Sequence, residues 1–235
     1  MAESNNILSL ENVKKSFAKQ KVIEDVTLHI TEGDIAIVLG ANGAGKSTLM
    51  KLAVGLFKAD KGKVSLKNSD RKFFSKYATY LGHESMLYQD LTVYENIELM
   101  RKLRNLKIDT KAALKEWLLE DFSGKKISEL SRGMKYRTAL CNAFLHDPIY
   151  VFLDEPTSAL DQGSLEILSD KIKTAVNKKK GMAFIVTHDI ERLAHVANRF
   201  LVLDQGKIAY DSATLNEDLM TVKNKAVDFY HRTNR

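Results

Sequence analysis

Hydrophobic and polar positions along the chain fall into blocks of different period. Leu8, Leu10 and Val13 lead into a strand, and Val26, Leu28 and Ile30 alternate with polar residues as a half-buried strand does. Thr31-Glu32-Gly33-Asp34 reads as a turn, and the apolar run Ile35-Ala36-Ile37-Val38-Leu39 reads as a strand covered on both faces. Leu49, Leu52, Ala53 and Leu56 then recur at helical spacing, and Asp60-Lys61-Gly62 turns the chain into Val64-Ser65-Leu66. Near residues 92–128 the period lengthens. Val93, Ile97, Met100, Leu103 and Leu106 repeat every three or four positions, followed by Ala113, Leu114, Trp117 and Leu118, with Trp117 read as a core residue. From residue 149 strand and helix alternate again. Ile149–Leu153 and Met182–Val186 read as buried strands, with helices near 163–178 and 189–197. Phe200–Leu203 and Lys207–Tyr210 flank the hairpin-like turn Asp204-Gln205-Gly206. The pattern predicts an α/β chain with a helical segment inserted between two parts of the core, and no internal repeat.

Composition narrows this picture. With 235 residues, 44% of them hydrophobic, the chain holds one large domain, or one domain with a subdomain. Cys141 is the one cysteine, so no internal disulfide forms; set in Ala139-Leu140-Cys141-Asn142-Ala143-Phe144, it reads as a small buried side chain. No apolar run approaches the ~18–20 residues that cross a bilayer, and the first six residues are polar. The expectation is a cytoplasmic protein whose membrane role comes through a partner. The net charge of +6 is spread along the chain. Its densest cluster, Lys171, Lys173, Lys178, Lys179 and Lys180, reads as an exposed helix running into Gly181, where cations favour a helix C-terminus. No nucleic-acid partner is expected.

Two motifs carry chemistry. Gly40-Ala41-Asn42-Gly43-Ala44-Gly45-Lys46-Ser47-Thr48 fits G-x-x-x-x-G-K-[ST] and lies between a predicted strand and a predicted helix. Its glycines let backbone N–H groups turn toward phosphates, Lys46 adds a charge, Ser47 offers a hydroxyl to Mg²⁺, and the helix brings its positive end to the same anion. The strand 149–153 runs into Asp154-Glu155. Adjacent carboxylates beside a phosphate site need a cation, which gives Asp154 the Mg²⁺ shell and Glu155 the attacking water.

The ordered set of motifs over residues 7–210 resembles the ATP-binding subunits of ABC transporters. Leu130-Ser131-Arg132-Gly133-Met134 is similar to the family's LSGGQ signature, with Arg132 and Met134 as departures. Tyr150–Pro156 resembles the Walker B strand, Ser158-Ala159-Leu160-Asp161 the D-loop, and Thr187-His188-Asp189 the switch-histidine segment. The resemblance implies a P-loop NTPase of ABC type: a mixed β-sheet core with an N-terminal antiparallel β-subdomain and an inserted α-helical subdomain. It implies one domain over 1–235, with core and β-subdomain over about 7–91 and 135–210, the helical subdomain over about 92–134 and a C-terminal helical tail over 211–235.

The resemblance also assigns roles. Phe17 stacks on adenine; Asn42, Gly43, Ala44, Gly45, Lys46, Ser47 and Thr48 hold the ATP phosphates; Ser47 and Asp154 hold Mg²⁺. Glu155, His188 and Lys46 are catalytic. Ser131, Arg132, Gly133 and Met134 reach the ATP of a second copy, Asp161 belongs to the D-loop, and His83 stands where the family has the Q-loop glutamine. The implied protein is an ATPase that forms a head-to-tail homodimer around ATP. It sits on the cytoplasmic face of the inner or plasma membrane and drives a separate permease, with Met86, Leu87 and Tyr88 as candidate contacts. Leu81-Gly82-His83 and residues 131–134 resemble haem-exporter ATPase subunits, and no long C-terminal regulatory domain is read after residue 210, which points to export. The alternative is a non-transport ATPase of the same type, driving a membrane-associated or division complex.

Overall fold

The computed structural model describes residues 6–18, 20–67, 76–82, 86–214 and 219–233. Strands β1 (Asn6–Phe17), β2 (Gln20–Thr31) and β4 (Lys61–Leu66) form an antiparallel sheet in the order β2-β1-β4. The second sheet runs β5-β6-β7-β3-β8-β9, from β3 (Ile35–Leu39), β5 (Ala78–Leu81), β6 (Tyr150–Asp154), β7 (Met182–Val186), β8 (Arg199–Asp204) and β9 (Lys207–Asp211). All its pairings are parallel except β8 with β9. Parallel strands covered on both faces read as unbroken apolar runs, and β3, β6 and β7 are buried throughout. The two-residue period divides β3 between two cores. Ile35, Ile37 and Leu39 pack with the helical side, including Trp117 and Leu140, while Ala36 and Val38 pack with β1, β2 and the helix after β3.

Six α-helices are described: α1 (Lys46–Ala53), α2 (Val93–Leu103), α3 (Thr110–Glu116), α4 (Arg132–Phe144), α5 (Gln162–Lys173) and α6 (Leu219–Thr233). A capping box starts α2: the Glu95 N–H donates to Thr92 Oγ1 at 3.1 Å, and the Thr92 N–H donates to Glu95 Oε2 at 2.8 Å. One turn later the buried Asn96 side chain donates to the carbonyls of Tyr88 and Thr92 and accepts the Tyr88 N–H, fixing the stretch before α2.

The elements depart from the periodicity in four places. Helix α1 ends at Ala53, so Leu56 lies beyond it and is 59% exposed. Helix α3 ends at Glu116, and Leu118 takes a left-handed φ of 55° in solvent. The expected helix near 189–197 is a series of turns; short bonds such as Leu193 N–H to Ile190 O replace a regular ladder, because buried Ile190, Leu193 and Val196 set its path. The lysine cluster is not simply solvated: Lys171 pairs with Glu116 and Lys179 with Asp147, and residues Thr174–Lys178 form a π-helical turn.

A buried charge cluster joins the two sheets. Arg199, on β8, donates two bonds to Asp211, one to Asp34 Oδ2 at 2.8 Å and one to the His29 carbonyl at 2.7 Å. Burial works against its charge, but the carboxylates of Asp211 and Asp34 outweigh it and raise its pKa.

His146 supplies a test of stability. Its Nε2 lies 3.0 Å from the Ala78 carbonyl; burial, and secondarily the charge of Arg104, push its pKa down to about 4. The unfolded imidazole protonates near pH 6.5, so between these values the unfolded chain binds the extra proton. Stability is therefore full above pH 6.5 and falls by about 3 kcal/mol as pH drops through 4. Urea midpoints measured from pH 7 to 4 are expected to fall less steeply in His146→Gln than in the parent; parallel curves would remove this contribution.

Candidate functional site

Strand β3 delivers the chain into Gly40–Thr48 at the carboxyl end of the parallel strands, beside β7 and β8. A Cβ at Gly40 would lie 2.4 Å from the Leu203 carbonyl oxygen, so strand β8 leaves no room for a side chain there. Gly45 is the N-cap of α1 with φ 102°, a left-handed conformation glycine holds without strain, and a Cβ there would meet the Val22 carbonyl at 2.8 Å. Asn42, Gly43 and Ser47 are exposed, Ala44 is buried and Thr48 half-buried. The buried Lys46 ammonium donates to the carbonyls of Gly40 at 2.6 Å and Ala41 at 3.0 Å. Burial lowers its pKa, and the charges of Glu155 and Asp154 oppose that shift.

Asp154 closes β6 and is buried. The next residue leaves the strand: Glu155 has φ 54°, an unfavourable left-handed conformation for a residue with a Cβ, and its N–H is held by the Val186 carbonyl of β7 at 2.8 Å. This turn brings the Glu155 carboxylate onto the next strand end. His188 donates its backbone N–H to Glu155 Oε2 at 3.2 Å and places Nδ1 2.8 Å from the same oxygen. A cleft of about 620 Å³ is lined by Ser47, Asp154 and Tyr80 together with Met86, Leu87 and Arg104.

The arrangement suits a magnesium nucleotide. Mg²⁺ takes hard oxygen donors, one or two from protein and the rest from phosphates and water. The exposed Ser47 hydroxyl and the Asp154 carboxylate line the same cleft, and among the described residues no cluster of three or more His, Cys, Asp or Glu competes as a metal site. Phe17, at the end of β1, keeps 43% of its surface exposed; Phe57 meets it edge-on at 5.4 Å between ring centroids and the Lys15 ammonium lies over the ring at 5.4 Å, leaving an exposed aromatic ring of the kind a base stacks on.

Ser131 is the N-cap of α4 and accepts the Met134 N–H at 3.3 Å; Arg132 is exposed, and Gly133 and Met134 are half-buried. Among the described residues no hydrogen bond or ion pair joins 131–134 to the phosphate loop. Asp161 caps α5 through the Ser164 N–H and pairs with Arg137 of α4 at 2.7 Å. The bonds from Ser164 and the neighbouring Arg137 hold its carboxyl below the usual range. His83 lies outside the described residues. Met86 is 89% exposed, Tyr88 exposed and Leu87 buried.

A family described as ABC transporter matches residues 23–158, more than half of the chain. The chain belongs to the ABC transporter family as an ATP-binding subunit. Such a cassette binds ATP with Mg²⁺ and hydrolyses it. Among relatives of this cassette, the aliphatic sulfonates import ATP-binding protein SsuB of Bacillus cereus (strain ATCC 10987 / NRS 248) is 29% identical, with 96% of each chain covered. The SkfA peptide export ATP-binding protein SkfE of Bacillus subtilis (strain 168) is 31% identical over 87% of this chain and 88% of its own. The dimeric post-hydrolysis structure of the cassette MJ0796 bound to ADP and Pi shares the fold with a TM-score of 0.76 at 26% identity. It covers 87% of this chain and 97% of that one. Sequence patterns did not reveal two arginines of the cassette that bind the D-loop region, Arg137 and Arg192. Their partners stand 19 to 35 positions away, so no local spacing announces them.

Proposed function

We propose that the chain is one of two identical ATPase copies that close head to tail on ATP and pass the resulting motion to a separate membrane permease. The observation that carries this is the division of the site. The phosphate loop, Asp154, Glu155 and His188 gather at the carboxyl ends of β3, β6 and β7, whereas Ser131 and Arg132 stay exposed at the start of α4, with no direct hydrogen bond or ion pair to them among the described residues. A second copy supplies what one chain leaves open. In this reading Phe17 stacks on adenine, and residues 42–48 hold the phosphates with Lys46 as their charge. Ser47 and Asp154 hold Mg²⁺, which neutralises charge developing on the transferred phosphoryl oxygens. Glu155 accepts a proton from the attacking water, and His188 orients Glu155 through the 2.8 Å contact. Ser131, Arg132, Gly133 and Met134 grip the partner copy's ATP, and loss of its γ-phosphate releases the pair. The domain limits and the Q-loop role of His83 belong to the same reading.

The permease reading draws on the cleft lining, where Met86 is exposed beside Leu81, Leu87 and Met100, and on the exposed Tyr88 two residues after Met86. No helix among the described residues is long and apolar enough to cross a membrane. In this reading the partner supplies the membrane part and this chain sits on its cytoplasmic face. Relatives' names point both ways, import for SsuB and export for SkfE. Export, with haem as cargo, draws on the resemblance at residues 81–83 and 131–134.

The test uses a Glu155→Gln chain, tagged and held in ATP, to capture partners from detergent-solubilised membranes for mass spectrometry. A stoichiometric polytopic membrane protein is expected, and its identity narrows the cargo. Recovery of soluble partners without a permease would favour the non-transport ATPase reading.

A further inference from the structure

The loop 157–160 lies between two parts of the site and is poorly fixed by its own backbone. It follows Glu155-Pro156 and precedes Asp161 as a run of turns, with Leu160 N–H to Thr157 O at 3.4 Å as its internal bond. Two arginines anchor this stretch from outside. Arg137, from α4, pairs with Asp161 at 2.7 Å and donates to the Leu118 carbonyl. Arg192, four residues after His188, straddles the loop itself: Nη1 donates to the Thr157 carbonyl at 2.5 Å and Nη2 to the Leu160 carbonyl at 2.7 Å. A planar guanidinium fits two acceptors at once, which a lysine ammonium on a flexible stem does not match.

Each end of this clamp reaches a different part of the chemistry. Arg192 belongs to the 189–197 turns, which lack a regular helical ladder and begin one residue after His188, the residue bonded to Glu155. On the other side, the Ala159 carbonyl oxygen lies 2.8 Å from where a Cβ at Gly133 would stand, so the loop packs on the turn carrying Ser131 with no slack.

We propose that Arg192 is a positioning residue that couples the two nucleotide sites of a pair: its fork transmits the state of His188, in the site the chain itself builds, to the Ser131–Gly133 surface the chain offers to its partner. This rests on the head-to-tail reading above. Coupling carried through a packed, hydrogen-bonded path of this kind is changed by mutations that touch neither ligand.

Arg192→Ala and Arg192→Lys are made in the Glu155→Gln background for sedimentation in ATP, and with Glu155 intact for steady-state hydrolysis. Arg192→Ala is expected to weaken ATP-dependent self-association by about tenfold. The Hill coefficient for ATP should fall toward one, while ATP affinity of the dilute single chain stays within about twofold of the parent. Arg192→Lys, which keeps the charge and loses the fork, is expected to fall between. Unchanged self-association and Hill coefficient in both variants would overturn the proposal. So would a parallel loss of single-chain ATP affinity and melting temperature, the mark of a residue that only supports the fold. If the Glu155→Gln parent itself stays monomeric in ATP, the head-to-tail reading fails first and the coupling with it; a parent that pairs, with variants that pair equally well, sinks the coupling alone.

Discussion

Glu155→Gln is expected to lower ATP hydrolysis by at least about a hundredfold while ATP still binds, and to trap the chain as an ATP-held pair. Glu155 is fixed unusually firmly for an exposed-edge acid. Its φ of 54° turns it off the end of β6, its N–H is held by Val186, and Oε2 receives both the backbone N–H of His188 and a 2.8 Å contact from Nδ1. Glutamine matches the size and can keep the backbone bond from His188 through its amide oxygen, but an amide does not take up a proton from water. The phosphate loop lies outside the change, so nucleotide affinity is retained. The γ-phosphate then persists, and every contact that depends on it persists too. Single-turnover phosphate release measures the first effect, and gel filtration with and without ATP the second. Turnover near that of the parent would move the base role to another group.

The second large effect is expected at Lys46. Its ammonium is buried and rests on two carbonyls of its own loop, Gly40 and Ala41. Neutral carbonyls only partly offset the lost water, as the lowered pKa records, so the charge is held ready for an anion. A triphosphate completes that pairing with charge-assisted bonds, each worth roughly twice a neutral one. Lys46→Ala is expected to weaken ATP binding by about a hundredfold, read by titration with a fluorescent ATP analogue. Chain stability should change little, because the variant also removes the cost of desolvating a cation. An unchanged nucleotide affinity would contradict the phosphate role, and a large drop in melting temperature would assign Lys46 to the fold instead.

Much of the molecule was legible in order along the chain. The apolar runs 35–39, 149–153 and 182–186 become β3, β6 and β7, because strands buried on both faces admit no polar alternation. The phosphate loop was legible because backbone geometry demands glycine at fixed offsets from Lys46. The errors share a cause: periodicity reports which residues want burial, not which backbone delivers them. Ile190, Leu193 and Val196 recur at helical spacing and are buried, yet the segment they lie in is a set of turns. Leu56 and Leu118 continue the spacing of helices that have already ended.

By itself, then, the sequence determined the strand–loop–helix setting of Gly40–Thr48, the acidic pair after an apolar strand and the order of motifs that places the chain among ABC ATP-binding subunits. Each rests on local rules of spacing, turn geometry and side-chain chemistry. Only the tertiary structure decided that His188 meets Glu155 across 33 positions, that Arg199 joins the two sheets, and that Arg192 and Arg137 grip the loop between Glu155 and α5. The Glu155–His188 contact forms where the parallel strands β6 and β7, linked by a long crossover, end side by side, and the arginine contacts likewise join elements distant in sequence. Sequence spacing carries no information about which distant strand will be the neighbour, since that choice is made by packing of the whole core.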